Sequence, residues 1–187
     1  MGFFRYLIRK IGQSIFVIHS FITLLSIINY TIRNLRYSMK IIRSGLSGFV
    51  LKMPEKRILL IKREKMPYKG LFCFPGGHHE FGESIDEGIV RETYEETGFV
   101  VKPFEKSHMP YVTERVYPEL DTHWIIHTKI FEIIDQKPCL EGIEYEFFNT
   151  MNCDIGKSEF RHLKELGNEE LIPHFWRVYN YLNSYVA

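Results

Sequence analysis

The sequence predicts an α/β domain preceded by a hydrophobic N-terminal helix, and three observations carry that reading. Short apolar runs bounded by Gly, Pro and charged residues recur from Phe49 to Phe148. One helix, Ile85 to Thr97, is signalled at both ends, and the first 44 residues have helical apolar spacing, basic ends and no acid. The 187 residues amount to little more than one domain at about 150 residues each. A composition of 45% hydrophobic, 15% aromatic and 25% charged residues supports a packed core and excludes wholesale disorder.

In the N-terminal segment, Phe4, Ile8, Ile11, Ile15, Ile18, Ile22 and Leu25 form one helical face. Phe16, Val17, Phe21, Leu24 and Ile27 make the other faces apolar too, so such a helix requires burial. Ile11 to Ile28 is an uncharged run of eighteen residues, near the length that spans a membrane. Gln13, His19, Ser20, Thr23 and Ser26 weaken the case for spanning. A membrane anchor, an interfacial or packed helix, a targeting segment and an extension from an upstream start all stay open. No small-x-Ala cleavage site follows, since the only alanine is Ala187, and Gly2 with Tyr6 does not suit myristoylation. If the segment is an anchor, Arg33, Arg36, Lys40 and Arg43 after it outnumber Arg5, Arg9 and Lys10 before it, which favours a cytoplasmic C-terminal domain. The expectation is a cytoplasmic protein whose only membrane association is through residues 1–44.

Ser44, Gly45, Ser47 and Gly48 break the helical pattern and set the boundary, with residues 1–44 as the segment and 45–187 as the domain. Phe49 to Lys52 and Ile58 to Arg63 read as strands around the Met53-Pro54-Glu55-Lys56 turn, and Leu71 to Phe74 as a short strand ending at Pro75-Gly76-Gly77. Further strands are expected over Phe99 to Phe104, Met109 to Val116, Trp124 to Ile134 and Tyr145 to Phe148. Glu159 to Leu166 and Pro173 to Tyr185 look helical.

Up to Pro54 there are eight Lys and Arg and no acid, which leaves sixteen basic against twenty-three acidic residues in the remainder. An acidic domain of this kind is not built for duplex nucleic acid. Cys73, Cys139 and Cys153 have neither disulfide nor zinc-ribbon spacing. His78, His79, His123 and His127 lack the Glu of a zincin helix.

The chemistry lies between Gly77 and Phe99. Ser84 and Glu87 form a capping box, Asp86 and Glu87 suit the positive helix start, and Gly98 suits its stop. On this helix Glu92, Glu95 and Glu96 crowd one face near the negative C-terminal end, which is costly unless something positive offsets it. A hard divalent cation such as Mg²⁺, bound by carboxylate oxygens and substrate phosphates, does so. Arg91 is a fixed cation able to hold a carboxylate bidentately. A solvated acidic face is the ordinary reading of such a run, but here the Gly76-Gly77 turn, the cap and Glu83 keep fixed spacing to it.

The letters G, five residues, E, seven residues, R-E-U-x-E-E-x-G-U (U a bulky aliphatic) are the signature of the Nudix (MutT-like) hydrolases. Gly77, Glu83, Arg91, Glu92, Glu95, Glu96 and Gly98 match all seven fixed positions. Phe99 suits the last U, whereas Thr93 departs from the first, a core-facing position that bears on packing rather than on metal. The resemblance extends from about Ser47 to the C-terminus. It implies a mixed β-sheet sandwiched between helices, an α/β/α sandwich. It further implies Mg²⁺- or Mn²⁺-dependent hydrolysis of a nucleoside diphosphate linked to another moiety: a nucleotide sugar, dinucleotide, dinucleoside polyphosphate or nucleoside triphosphate.

By the same resemblance Glu92 and Glu96 are metal ligands, Glu95 is a ligand or water-orienting group, and Glu83 is an outer ligand or fixes Arg91. Arg91 orients the cluster, and Gly77 lets backbone approach metal and phosphate. The general base stays open among the box glutamates and Glu114, Glu119, Glu144 and Glu146; Glu146 is also an additional metal ligand candidate. Arg63 and Arg115 are candidates to meet phosphate. Tyr111, Tyr117, Phe72 and Trp124 are the rings available for base recognition, and Tyr117 has the placement seen in dinucleoside polyphosphate hydrolases. A homodimer is compatible with the family. A non-catalytic nucleotide sensor and a membrane-associated interaction module are the competing readings.

Overall fold

The computed structural model describes residues 22–30, 41–105, 109–150 and 160–186. The chain divides into two compact units, Met1–Ile41 and Ile42–Ala187. In the first, residues 22–30 are helical, while the rest of the apolar stretch lies outside the described residues. Among the described residues no helix is long and apolar enough to cross a membrane.

The second unit is built on a seven-stranded mixed sheet. Its strands are β1 (Ile42–Lys52), β2 (Arg57–Lys62), β3 (Phe72–Cys73), β4 (Phe99–Pro103), β5 (Tyr111–Tyr117), β6 (Thr122–Gln136) and β7 (Tyr145–Asn149). The order is β3-β2-β1-β6-β4, with β5 also on β6 and β7 also on β2. Only β1 and β6 pair in parallel; the other pairs are antiparallel.

The central strands are apolar on both faces because helices cover both. Leu46, Val50, Leu59 and Phe131 point to one side and pack with Ile89 of helix α1 (Ile85–Thr97). Phe49, Leu51, Ile58, Leu60 and Ile130 point to the other and pack with Phe175, Val178, Tyr179 and Leu182 of helix α2 (Phe175–Asn183). Neighbouring residues on one strand thus enter different cores, which is why β1 and β2 read as continuous apolar runs. The result is the α/β/α sandwich.

Helix α1 begins and ends where its signals place it. The Ser84 hydroxyl accepts from Glu87 N, the Glu87 carboxylate accepts from Ser84 N, and Gly98 closes the helix at φ +76°. Two elements differ from expectation. The strand expected from Phe49 starts at Ile42, because its first half gains a parallel partner in β6, from Ile42 opposite His123 to Leu51 opposite Glu132. The glycines that read as a break are close-approach points within that strand: a Cβ on Gly48 would lie 3.0 Å from Ile89 Cγ2. The helix expected over Glu159 to Leu166 is, among the described residues, a 3₁₀ turn at Leu163–Glu165. The preceding residues join β7 instead, since Asn149 N donates to Arg161 O and Asn149 Nδ2 to Phe160 O.

Gly98 joins the helix end to the chain leaving β6: Lys137 N donates to Gly98 O at 2.8 Å, and an added Cβ would run into the Lys137 carbonyl. Gly98→Ala is expected to lower stability by about 3 kcal/mol or more, combining left-handed strain with a backbone clash. Gly82→Ala, at φ +93° with no atom within 4 Å of the new Cβ, carries the strain alone and should cost about 1–2 kcal/mol. Urea unfolding of the two variants measures the difference.

Candidate active site

Helix α1 and the loop before it place the site. The turn Gly76–Gly77 lies against β1, where Leu46 N donates to Gly77 O at 2.9 Å and Gly48 N to Pro75 O at 2.8 Å. Gly76 has φ +148°, and a Cβ there would run into the Leu46 carbonyl. Gly77 faces the helix: its Cβ would lie 2.5 Å from Glu92 Oε2. Backbone excludes a side chain at Gly76, and a side chain at Gly77 would displace the Glu92 carboxylate.

Arg91 organises the carboxylates. Its Nε donates to Glu83 Oε2 at 3.0 Å and Nη2 to Glu83 Oε1 at 2.9 Å, a bidentate pair. Nη1 reaches Glu92 Oε1 at 2.9 Å and Glu95 Oε2 at 3.1 Å, and Nη2 also donates to His78 O at 3.1 Å. Glu83 Oε1 additionally accepts from Glu80 N at 2.7 Å. Hydrogen bonds from Arg91 hold the Glu83 carboxyl below its ordinary range.

Glu92 and Glu96 behave oppositely. Burial pushes Glu92 up despite Arg91, and Glu95 and Glu141 add repulsion. Glu96, only 7% exposed, is pushed up to about 8, first by burial and then by Glu92 and Glu141, while the Gly76 N–H and Arg63 pull the other way. Gly76 N donates to Glu96 Oε2 at 2.9 Å. The Gly76 N–H thus occupies Oε2 and leaves Oε1 as the oxygen of Glu96 open to a proton or a cation.

Among the described residues no three His, Cys, Asp or Glu side chains converge as a ready-made metal cage. The donor set nevertheless suits a hard cation. Among the described residues Glu92 Oε2, Glu95 Oε1 and Glu96 Oε1 each have no protein partner, while the other oxygen of the same carboxylate is held. Gly77 leaves open the space beside Glu92 that a Cβ would fill.

The structure thus brings Gly77, Glu83, Arg91, Glu92, Glu95 and Glu96 together. Arg63 stands beside them, with Nε donating to Pro67 O at 2.9 Å and its charge acting on both Glu96 and the buried Cys73. Burial pushes the Cys73 thiol up to about 12, so it stays protonated. Tyr117 ends β5 and meets Tyr68 edge-on at 6.0 Å. Trp124 packs edge-on with His78 at 4.8 Å, Tyr111 stacks on Tyr181 at 4.4 Å, and Phe72 is buried against Phe148.

Glu146 lies on β7 opposite Leu60, with no hydrogen bond or ion pair to the cluster among the described residues. Glu114 is engaged by His123 at 2.7 Å and Glu144 by Lys62 at 3.0 Å. The carboxylate that acts on the cluster from outside is Glu141, which sequence reasoning missed. Its loop is bolted to the end of α1: Leu140 N and Glu141 N donate to Glu95 O at 3.2 and 2.8 Å, and Ile143 N to Glu96 O at 3.1 Å. No local pattern marks Glu141; only the helix C-terminus that captures its backbone does. Thr93, at the departing box position, is fully buried with an unpartnered hydroxyl.

Residues 43–142 match the NUDIX domain family. An ADP-ribose pyrophosphatase of Methanocaldococcus jannaschii is 41% identical, over 69% of this chain and 82% of its own. An uncharacterized Nudix hydrolase of Bacillus subtilis, YvcI, is 25% identical over 66% of this chain and 69% of its own. Among solved structures, a Burkholderia pseudomallei MutT NUDIX hydrolase shares the fold with TM-score 0.50 and 22% identity, covering 58% of this chain and 84% of its own. A Francisella tularensis bifunctional NMN adenylyltransferase/ADP ribose pyrophosphatase, complexed with AMP and a manganese ion, has TM-score 0.53 and 18% identity, over 87% of this chain and 47% of its own. The family match covers more than half of the chain and the 41% relative most of it, so the chain belongs to the Nudix hydrolases and is a hydrolase of pyrophosphate bonds.

Proposed function

We propose that this chain hydrolyses the diphosphate bond of a nucleoside diphosphate linked to a sugar or second nucleoside, with Mg²⁺ as its cofactor. The observation that carries the reading is the pair of half-buried and buried carboxylates Glu92 and Glu96, each held through one oxygen with the other turned free beside the glycine turn, with Glu141 acting on both. The 41% identity to an ADP-ribose pyrophosphatase supports ADP-ribose as the first substrate to test.

Glu92 and Glu96 would hold the metal, and Glu95 would be a third ligand or orient water. When bound, Mg²⁺ neutralises diphosphate charge and lowers the pKa of an attacking water. Glu83 acts through Arg91, because both its oxygens are spent on that guanidinium. Arg91 in turn fixes one oxygen of Glu92 and one of Glu95 and leaves the other of each free. The N–H of Gly76 keeps Glu96 Oε2 engaged, so a proton leaving Glu96 leaves from Oε1. Glu141, placed by the end of α1, accepts the proton of the attacking water. Arg63 lies where it can steady the phosphate.

Three outcomes follow for the metal and the base. Glu96 has a raised folded-state pKa, so its stabilising contribution is complete below the unfolded value near 4.5 and is lost as pH rises toward about 8. Metal-free Glu96→Gln should therefore melt several degrees above the parent at pH 8.5 and equal it at pH 4, while losing nearly all turnover; calorimetric melts at the two pH values check the sign. Mg²⁺ binding must expel that proton, so affinity should fall about tenfold per pH unit below 8, with close to one proton released at pH 7. Titration calorimetry in buffers of different ionisation enthalpy counts it. Glu141→Gln should lower kcat on ADP-ribose by roughly a hundredfold or more with Mg²⁺ affinity little changed. Glu146→Gln should leave kcat within about twofold, the scale of an ordinary surface change. Equal losses in the two variants would remove Glu141 from its role.

A further inference from the structure

Beyond the carboxylate cluster, the inner face of β5 and the start of α2 carry three cationic residues that the reaction above does not use. Tyr111, Thr113, Arg115 and Tyr117 alternate inward, while Val112, Glu114 and Val116 are exposed on the other face. Tyr111 stacks on Tyr181 of α2 at 4.4 Å, which fixes strand and helix against each other. Arg115 is four residues on from Tyr111, and Arg177 is four residues back from Tyr181 on the same helix face. With Tyr111 and Tyr181 stacked, Arg115 and Arg177 lie close enough for the charge of Arg177 to act on Arg115, and for both to act on His174 at the N-cap of α2.

Among the described residues no carboxylate balances these groups. Arg115 is half-buried, and its Nη1 donates to the Glu114 backbone carbonyl at 3.0 Å. Among the described residues neither Arg115, Arg177 nor His174 has an acidic partner; Arg115 instead faces Tyr117, Tyr111 and Tyr68. Burial and Arg177 depress Arg115, and burial followed by Arg115 and Arg177 depresses His174, the mark of cations crowded without an anion. The cluster is also continuous with the hydrolytic site. Tyr117, two residues beyond Arg115 on the same face, meets Tyr68 at 6.0 Å. Tyr68 sits in the loop that Arg63 closes through Pro67 O at 2.9 Å and Gly70 N at 2.7 Å. Arg63 then adjoins Cys73 and Glu96.

We propose that Arg115, Arg177 and His174 form a second phosphate subsite, set apart from the carboxylate cluster by the Tyr68–Tyr117 pair, which takes a phosphomonoester carried on one of the two moieties of the substrate. This rests on the diphosphate-hydrolase reading of the site. Arginines suit a phosphate dianion because several N–H groups reach its oxygens at once. The tyrosine pair offers the apolar step on which an intervening ribose or base packs. The substrate class is therefore a nucleoside diphosphate derivative bearing one additional, separated phosphate.

The test compares pairs that differ by that phosphate alone: NADH with NADPH, and dephospho-coenzyme A with coenzyme A. Binding to the full chain in Mg²⁺ is read by calorimetry, and turnover separately by phosphate-bond cleavage. The phosphorylated member of at least one pair should bind roughly tenfold or more tightly. Arg115→Gln and Arg177→Gln should each remove most of that preference and leave the Kd of the unphosphorylated member unchanged, whereas Arg115→Lys retains part of it. Thermal melts establish that the variants fold. Equal or absent binding of both members in both pairs, or variants that weaken both members equally, would overturn the subsite. Retained preference without any turnover would instead sink the hydrolytic assignment of substrate and leave the subsite standing.

Discussion

Arg91 is the interaction on which the arrangement depends. All five of its N–H groups are committed: Nε and Nη2 to Glu83, Nη1 to Glu92 and Glu95, and Nη2 to the His78 carbonyl. One planar cation thereby ties the middle of α1 to both ends of the loop that precedes it. A lysine has neither the fork nor the number of donors to do this. Without Arg91, Glu92 and Glu95 would repel each other on a helix whose last turn contains no basic residue.

The same cation divides the carboxylates by task. Glu83 sits low because Arg91 saturates it, while Glu92 and Glu96 sit high because burial outweighs what Arg91 and the Gly76 N–H return. Carboxylates pushed apart in this way mark different roles, a clamp on one side and cation-seeking groups on the other. The segregation of charge continues outward. Open carboxylate oxygens collect at Glu92, Glu95 and Glu96, and among the described residues cations without an acidic partner collect at Arg115, Arg177 and His174. An extended polyanion meets both needs, through a divalent cation at one end and directly at the other.

How much of this was legible in the sequence depended on whether the signal was local. Helix α1 was, since Ser84, Glu87 and Gly98 are cap residues whose partners lie within a turn of them. So was the cluster of box residues, because a helix repeats every three to four positions. The first half of β1 was not: Ser44 to Gly48 look like a breaker, and only the parallel pairing with β6 makes them a strand. Glu141 was invisible for the same reason, as was the meeting of Arg115 with Arg177, which needs β5 and α2 to be stacked through Tyr111 and Tyr181. The helix expected at Glu159 to Leu166 failed because Asn149 captures the backbone of Phe160 and Arg161.

Thr93 shows how a departure from the family pattern is absorbed. It is isosteric with the valine that suits this position, so it fills the same space against Gly48, whose missing Cβ would stand 3.5 Å from its Oγ1 and 3.0 Å from Ile89. The hydroxyl is buried with no partner, a loss of about 1–3 kcal/mol relative to a satisfied group. The backbone carbonyl of Thr93 is nonetheless used, accepting from Thr97 Oγ1 at 2.6 Å just before the Gly98 cap. Since Thr93 faces the sheet while Glu92, Glu95 and Glu96 border the glycine turn, the cost falls on the packing between α1 and β1. The geometry of the carboxylates is set separately, by Arg91 and by Gly76 and Gly77.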